Sequence, residues 1–502
     1  FNVDDMGEIE PDSLYAFASA PFKDSDAIVP RQSFEALEKL DMNYLAFGSI
    51  MFLKLLEAAI AEFMGSRDES EIGDIPYDSF EFDVGKFRVG VFSGSNNEIS
   101  GFYNLVIDLG GDDTYTGVTA SPQSFSEPIS IVIDISGNDN YISDIPGSLA
   151  CGNHGIGGIF DLNGDDEYFC VESGIGCAWF GAGLVVDYAG DDIYRSEFWS
   201  QGAAHAGVGL LIDLAGSDNY DCKHQSQAFG STLGVGLLVD VDGDDIYFTD
   251  PEGNISIPFN GHSVSFAQGT GFGRRADFGD GHNLGGGYGI LVDGAGDDSY
   301  TGSVYSQGAG YWWAVGCLED RGGNDTYYNE WYSLGSAPHF AIGCCVDLTG
   351  DDRYNVGNTD LSCQTQACAR DGSIAVFIDG EGDDIYYHHN RCAGSGDLNS
   401  IALFWDRTGN DQYTINRDSP YIADRSYGDA TEYPIFHTFR DDMKTIGIFL
   451  DTGGFDTYTE LLPENPDPLL EIPRILFGDN KEWRHREGPV IFGYGLDIDF
   501  YQ

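Results

Sequence analysis

Residues 105–115 read LVIDLGGDDTY, and residues 448–458 read IFLDTGGFDTY. Each stretch is an apolar run followed by an Asp, two residues, a Gly, one residue, a second Asp, one residue and a Tyr. This phrase occurs twelve times, and most neighbouring copies start 26 or 27 residues apart. A strand-like repeat of this length is typical of a solenoid, because propeller blades need about 40 residues or more. The repeat therefore predicts an all-β protein, a parallel β-helix or β-solenoid of about twelve coils.

Each coil is expected to contain a strand that ends at the first Asp, a tight turn over the Gly and a second strand through the Tyr. The residue four positions before the first Asp is small or Asn in every copy, as Gly157, Gly183 and Gly209 illustrate. Such a column suits a cramped corner where backbones pack closely. With strands about 4.8 Å apart, twelve coils would make a rod roughly 55–60 Å long.

The chain divides into three predicted parts: an N-terminal segment at 1–83, a β-solenoid at 84–460 and a C-terminal cap at 461–502. Ser33–Met64 has apolar residues at intervals of three and four, which predicts a helical N-terminal cap over the first coil. Open solenoid ends expose strand edges, so both ends need covering. The longer gaps between copies are expected to be insertions near residues 248–262, 274–285, 355–360 and 416–435.

Two aspartates of the phrase should form two vertical columns, because equivalent residues of a parallel solenoid lie above one another. The first-column aspartates end the first strand of each coil: Asp108, Asp134, Asp161, Asp187, Asp213, Asp240, Asp293, Asp320, Asp347, Asp379, Asp406 and Asp451. The second-column aspartates follow five residues later: Asp113, Asp139, Asp166, Asp192, Asp218, Asp245, Asp298, Asp325, Asp352, Asp384, Asp411 and Asp456. Two unit charges about 4.8 Å apart repel by roughly 3.5 kcal/mol at an effective dielectric constant near 20, so the columns need neutralisation or capping.

Calcium ions are one way to neutralise these columns. Ca²⁺ prefers six to eight oxygen ligands from carboxylates, carbonyls and water, so all 24 aspartates are candidate metal ligands. The other interpretation is that each Asp caps backbone N–H groups in its own turn. Both can hold, with a different role for each column.

The recurring Gly-x-Asp-x-Tyr resembles half of the Gly-Gly-x-Gly-x-Asp-x-apolar nonapeptide of calcium-binding RTX β-roll repeats. Most copies lack the preceding Gly-Gly-x, and the period is not a multiple of nine. The Gly-Asp-Asp-x-Tyr coils, with residues 265–275 (SFAQGTGFGRR) and 306–312 (SQGAGYW), are also similar to a group of uncharacterised secreted prokaryotic repeat proteins. That resemblance implies the architecture and brings no activity with it.

The twelve repeat tyrosines are expected to stack as an aromatic ladder. Core packing is the favoured interpretation, and a sugar-binding strip is the alternative. A second marker, Ser/Ala-Gln-Gly/Ala, includes Gln201, Gln227, Gln268 and Gln307, and an amide hydrogen-bond ladder is expected there.

The charge balance limits the possible partners. With 83 Asp and Glu against 24 Lys and Arg, the net charge is −59, which disfavours nucleic acid and anionic membranes. No run is apolar enough to insert into a membrane. Cys151/Cys177 and Cys317/Cys344 occupy equivalent positions in adjacent coils and are expected to be buried thiols rather than disulfides. The acidity and the chain start at Phe1, where a leader could have been cleaved, favour a secreted or cell-surface location.

A specific ligand site is predicted at Arg274, Arg275, Trp312 and Trp313, beside two insertions. Arginine with tryptophan suits a carboxylated sugar or another anion. The alternative is that the arginines neutralise nearby aspartates and the tryptophans cover a loop. Familiar catalytic motifs are missing, which favours a non-enzymatic protein.

The sequence favours a calcium-stabilised structural solenoid, extracellular or on the cell surface, with self-assembly into a filament or surface layer left open. A polysaccharide-binding or polysaccharide-degrading β-helix is the alternative, so a second copy and a glycan are the candidate partners.

Overall fold

The computed structural model describes residues 78–122, 124, 126–253, 255–256, 262–277, 280–357, 364–389, 391–416, 426–431, 443–461, 478–487 and 491–498. Within these ranges every regular element is a β-strand, and the strands build a parallel solenoid, which confirms the predicted fold class. The helix predicted at Ser33–Met64 lies outside the described residues, as do parts of all four predicted insertions.

The first sheet has 16 strands, and it collects the apolar runs that precede the first-column aspartates. Its strands, in spatial order, are Phe80–Val84, Phe87–Phe92, Leu105–Asp108, Ile129–Ile133, Ile156–Asp161, Ala182–Asp187, Val208–Asp213, Val235–Val239, Tyr288–Val292, Val315–Asp320, Ile342–Asp347, Ile374–Asp379, Ile401–Asp406, Thr445–Asp451, Ile491–Asp497 and Glu482–Glu487.

The second sheet has 13 parallel strands, and most of them carry the repeat tyrosines. They are Glu98–Ser100, Thr114–Thr116, Asn140–Ser143, Glu167–Glu172, Ile193–Phe198, Asn219–Cys222, Ile246–Thr249, Ser299–Thr301, Thr326–Tyr328, Arg353–Tyr354, Ile385–His388, Gln412–Asn416 and Thr457–Leu461.

Short strands form the third side of the coils. Four small sheets contain them: Gly152–Asn153, Ala178–Trp179 and Ala204–His205; Ile255–Ser256, His262–Ala267 and Val304–Ser306; Gly271–Phe272 and Gly310–Tyr311; Ala337–Pro338, Ala369–Arg370, Gly396–Asp397 and Ala430–Thr431.

Equivalent residues of the repeat pair directly across coils. Asp187 pairs with Asp213 in the first sheet, and Tyr168 pairs with Tyr194 in the second. The repeat tyrosines up to Tyr413 are buried, and all twelve stack face to face with ring centroids 4.5–4.9 Å apart. The tyrosines therefore form the core, as predicted, and no sugar could reach their faces.

Two glycine positions fix how closely the backbone packs. A Cβ on Gly190 would lie 1.5 Å from the carbonyl oxygen of Gly164, the equivalent residue one coil earlier. A Cβ on Gly183 would lie 1.8 Å from the carbonyl oxygen of Cys177, in the same coil. The second position is the cramped corner predicted from the column of small residues.

Antiparallel strands close both ends of the first sheet. Phe80–Val84 pairs antiparallel with Phe87–Phe92, and Glu482–Glu487 pairs antiparallel with Ile491–Asp497. Each outermost strand interrupts the parallel stacking, which blunts an edge that would otherwise template another parallel strand.

The buried glutamines differ from the expected amide ladder. The Nε2 group of Gln201 donates to the carbonyl oxygens of Tyr194, at 3.0 Å, and Asp221, at 2.9 Å. Gln227 repeats this pattern in the next coil. These glutamine side chains link the third side of the coil to the backbone of the second sheet. They do not form a ladder with one another.

The cysteine pairs are free thiols. The Sγ atoms of Cys151 and Cys177 lie 3.2 Å apart inside the solenoid. Cys317 and Cys344 pair on the first sheet but are only half-buried, because they point outward.

Candidate functional site

The second-column aspartates cap the backbone of the neighbouring coil. The N–H of Asp166 donates to Oδ1 of Asp192 at 2.6 Å, and the N–H of Asp192 donates to Oδ1 of Asp218 at 2.6 Å. The same bond joins each successive pair of coils from Asp113 to Asp456. Capping was predicted within each turn, but in this column it acts between coils.

The first-column aspartates make two kinds of hydrogen bond. Oδ1 of Asp187 accepts the N–H of Ala189 in its own turn at 3.2 Å, as the capping interpretation predicts. Oδ2 of Asp187 accepts the hydroxyl of Tyr168 from the preceding coil at 2.7 Å. The tyrosine of the preceding coil thus supplies a donor to each first-column carboxyl group from Asp134 to Asp451.

One oxygen of every second-column aspartate lacks a hydrogen-bond partner among the described residues. The Oδ2 atoms of all twelve are buried and unpaired. Oδ1 is also unpaired in five first-column residues: Asp240, Asp293, Asp347, Asp379 and Asp406. A buried polar atom left without a partner costs about 1–3 kcal/mol, and more when it is charged, so turn capping alone does not account for these groups.

The unpaired oxygens lie in clusters of three buried carboxyl groups. Asp161, Asp166 and Asp187 form one such cluster, with oxygens within 4.8 Å of one another, and equivalent clusters recur along the described coils. Each contains both aspartates of one coil and the first-column aspartate of the next. The structure therefore brings the predicted metal-ligand residues together.

Burial raises the pKa values of these carboxyl groups well above the ordinary range. Desolvation, reinforced by the charge of the first-column neighbour, raises the pKa of Asp166 to about 10 and that of Asp192 to about 10. Desolvation also raises the pKa of Asp139 to about 7. The clusters therefore do not hold several bare negative charges at neutral pH.

Two kinds of group can neutralise such a cluster. A proton shared between the carboxyl groups of Asp161 and Asp166 would satisfy one unpaired oxygen. A cation would accept several oxygens at once. The side-chain ligands in these clusters are carboxylate oxygens, which suit hard ions such as Ca²⁺, Mg²⁺ or Mn²⁺ better than Zn²⁺.

An exposed row runs beside the buried columns, at the position before each second-column aspartate, and seven of its twelve residues are Asp. Oδ1 of Asp165 accepts the N–H of Asp191 at 3.1 Å, and Oδ1 of Asp191 accepts the N–H of Ser217 at 3.0 Å. These residues accept N–H groups of the following coil, whereas the second-column aspartates accept N–H groups of the preceding coil. Since the residues of the exposed row face water, their remaining oxygens are solvated.

One member of the first column was not predicted from the sequence. Asp497 pairs with Asp451, and its Oδ2 accepts the hydroxyl of Tyr458 at 2.9 Å. The full phrase is missing around residue 497, which hid this thirteenth position. An apolar run with Gly493 four residues before the Asp was the available signal.

The predicted Arg/Trp site contains two different arginine environments. Arg274 is buried and bonds both carboxylate oxygens of Asp280 at 3.0 Å, as expected of an arginine that neutralises an aspartate. Arg275 lies over the ring of Trp312 at 5.0 Å and bonds Asp277 at 3.0 Å.

Trp313 lies apart from this arginine pair. Its side chain is 57% exposed and stacks on Phe340, with ring centroids 4.8 Å apart. The structure thus brings Arg275 and Trp312 together, and it leaves Trp313 accessible to solvent.

Among the described residues, no helix is long and apolar enough to cross a membrane. Comparisons with protein-family models, with curated proteins and with solved structures gave no match.

Proposed function

We propose that this protein is a structural solenoid whose buried aspartate columns bind divalent cations. The observation that supports the proposal is the unpaired, buried Oδ2 atom of each second-column aspartate. Second-column aspartates such as Asp166 and Asp192 lie in clusters that offer two further carboxyl groups. A row of identical clusters would bind a row of ions, and each ion would link two successive coils.

Calcium is the cation we propose. Ca²⁺ accepts six to eight oxygens in flexible geometry, whereas Mg²⁺ demands a near-ideal octahedron and gives up its water reluctantly. The clusters are buried, and burial favours the ion that loses its water more easily. An ion that links two coils would also stabilise the stacking directly, since it binds the folded state and not the separated coils.

A calcium-dependent structural protein fits an extracellular or cell-surface location, where free calcium is plentiful. The net charge of −59 supports the same proposal, because binding several Ca²⁺ ions would relieve much of the self-repulsion. The described residues form long ladders without a catalytic arrangement that we can identify, which supports a scaffold role. Assembly into a filament or surface layer is an extension of this proposal.

The test is a thermal melt of the full chain after EGTA treatment, with and without added Ca²⁺, combined with elemental analysis. We expect several calcium ions per chain and a lower melting temperature in EGTA. Each site at 100 times its Kd contributes about 2.7 kcal/mol to folding stability. Metal-free protein with an unchanged melting temperature would reject the cation role and leave protonation as the means of neutralisation.

Polysaccharide binding is a second candidate, favoured by the exposed ring of Trp313 stacked on Phe340 and by Arg275 over Trp312. An exposed aromatic face can stack on a sugar ring, and an arginine can bind the carboxylate of an acidic sugar. A panel of acidic glycans tested against the protein and its Trp313→Ala variant would decide this. Binding that the substitution abolishes would support the candidate, and no binding across the panel would reject it.

A further inference from the structure

The outer face of the first sheet is apolar along nearly its whole length. In the strand Val208–Asp213, alternate residues Val208, Leu210 and Ile212 point outward, while their neighbours are buried. Outward residues of successive strands pair directly, so they form three continuous columns. From Leu105–Asp108 to Ile491–Asp497, Glu319 is the one charged residue in these columns among the described strands.

The same chain shows what a water-facing sheet looks like. The outer face of the second sheet carries Glu167, Arg195, Asp221 and Lys223 on neighbouring strands. Arg195 lies 3.4 Å from Glu167 and 3.6 Å from Asp221, as is usual for a solvated surface. Apolar outward residues are therefore not a general property of this solenoid, and the first sheet differs from the second.

The size of the apolar face exceeds that of an ordinary surface patch. The nine strands from Val208–Asp213 to Ile491–Asp497, about 4.8 Å apart and each with three outward residues about 6.8 Å apart, cover on the order of 900 Å². The largest apolar patch on a typical monomer is about 300–600 Å². A standard stable interface buries about 800 Å² on each partner. On these strands the outward residues remain accessible: Tyr288 is 53% exposed, and Ile342, Ile374 and Ile401 are 41–42% exposed. On the preceding strands, the outward residues Ile131, Phe160 and Leu184 are buried.

We propose that this face is the contact between two copies of the chain, packed sheet against sheet. A face that is uniform along its length is complementary to itself, which is the requirement of a twofold interface. Two such sheets would interdigitate their outward side chains about 10 Å apart, as in a β-sandwich. Anionic lipid is a poor occupant, because the exposed row that contains Asp165 and Asp191 follows the ends of the strands of the same sheet. The inference does not depend on the proposed cation sites, so either can fail alone.

Two outward thiols provide a direct probe of the contact. Cys317 and Cys344 lie side by side in the middle column and are half-buried, whereas the other described cysteines are buried. A maleimide should therefore label these two in the monomer, and a second copy should protect them. Mass spectrometry of the peptides that contain them separates this signal from the other cysteines.

The test combines sedimentation velocity with thiol labelling over a range of protein concentrations, in EGTA and in Ca²⁺. We expect a dimer whose Cys317 and Cys344 become protected as concentration rises. Ile374→Glu should weaken dimerisation at least tenfold and restore labelling. Ile142→Glu is the matched control, since Ile142 is 38% exposed on the second sheet against 41% for Ile374, and it should leave the dimer unchanged.

Other results would overturn the inference. A monomer whose two thiols react at every concentration would show that no second copy covers the face. A monomer whose thiols stay protected at every concentration would assign the cover to another part of the same chain. A dimer insensitive to Ile374→Glu would place the contact elsewhere.

Discussion

The hydroxyl of Tyr194 donates to Oδ2 of Asp213, the first-column aspartate of the next coil, at 2.7 Å. The ring of Tyr194 also stacks between two other tyrosines, at 4.8 Å from Tyr168 and 4.9 Å from Tyr220. The core ladder and the acidic columns are therefore a single structure: the tyrosine packs with one part of its side chain and satisfies a buried carboxyl group with another.

Tyr194→Phe should separate these two contributions. The substitution keeps the stack and removes the donor to Asp213, so we expect a loss of about 1.5–3 kcal/mol in the free energy of unfolding. Tyr194→Ala removes the stack as well and should cost about 3–5 kcal/mol. Urea unfolding measures both.

The control for the hydroxyl is Tyr288→Phe. Tyr288 is 53% exposed, so this substitution should change the stability by no more than about 0.5 kcal/mol. Equal stability of Tyr194→Phe and the parent protein would mean that the hydroxyl contributes nothing to holding Asp213.

Asp192→Asn should distinguish the two oxygens of a second-column residue. The amide oxygen can still accept the N–H of Asp166, while the buried charge is gone. In EGTA at pH 8 we expect this variant to be more stable than the parent protein by at least about 1 kcal/mol, because it avoids the cost of neutralising a carboxylate. Its stabilisation by Ca²⁺ should be smaller, and paired melts in EGTA and Ca²⁺ measure both effects.

Asp192→Ala is the companion variant. It removes the cap along with the charge and leaves the N–H of Asp166 buried and unpaired, at a cost of about 1–3 kcal/mol. If Asp192→Asn and Asp192→Ala had the same stability in EGTA, the cap across coils would contribute no measurable stability.

The repeat phrase was sufficient to predict the coil because its period and its residue types agree. The spacing of 26 or 27 residues predicted the solenoid, the apolar runs predicted strands, and the Tyr positions predicted the ladder. The small residues at Gly183 and its equivalents predicted the corner where the backbone packs closely. These features repeat in every coil, so chance matches are averaged out.

The site was only partly predictable, because hydrogen bonding depends on which coil each atom faces. Both aspartate columns follow from the repeat phrase, but the phrase could not show that Asp192 caps the preceding coil while Asp187 caps its own turn. The apolar outer face was present in runs such as Leu184-Val185-Val186, which indicate a strand that is apolar on both sides. Nothing in the run itself says whether another chain covers the outer side.

Gly190→Ala should prevent the coils from stacking at their normal distance. Its Cβ would lie 1.5 Å from the carbonyl oxygen of Gly164, and a backbone atom cannot move aside as a flexible side chain can. We expect a loss of at least about 3 kcal/mol or failure to fold. Gly117→Ala is the control, since its Cβ would have no atom within 4 Å, and it should cost only the about 1–2 kcal/mol of a side chain at a positive φ of 83°. Soluble expression and urea unfolding compare the two, and equal behaviour would contradict the close approach.

Protons and cations should compete for the aspartate columns. The direction in which stability changes with pH follows from the raised pKa values. An unfolded Asp titrates near 3.9, whereas burial raises the folded pKa of Asp139 to about 7 and of Asp166 to about 10. Folded protein therefore binds more protons than unfolded protein between these values. The stability contributed by protonation is fully present below about pH 4 and is lost as pH rises through the folded pKa values.

In EGTA, the melting temperature should consequently fall as pH rises from 5 to 9. Added Ca²⁺ should raise it strongly at pH 9 and weakly at pH 5, because at low pH each ion must displace protons before it binds. Melts at both pH values, in EGTA, in Ca²⁺ and in Mg²⁺, test this directly. A metal-free protein that grows more stable with rising pH would mean that the columns are ionised and balanced by other groups, whereas an equal response to Ca²⁺ at both pH values would mean that cations and protons occupy different places.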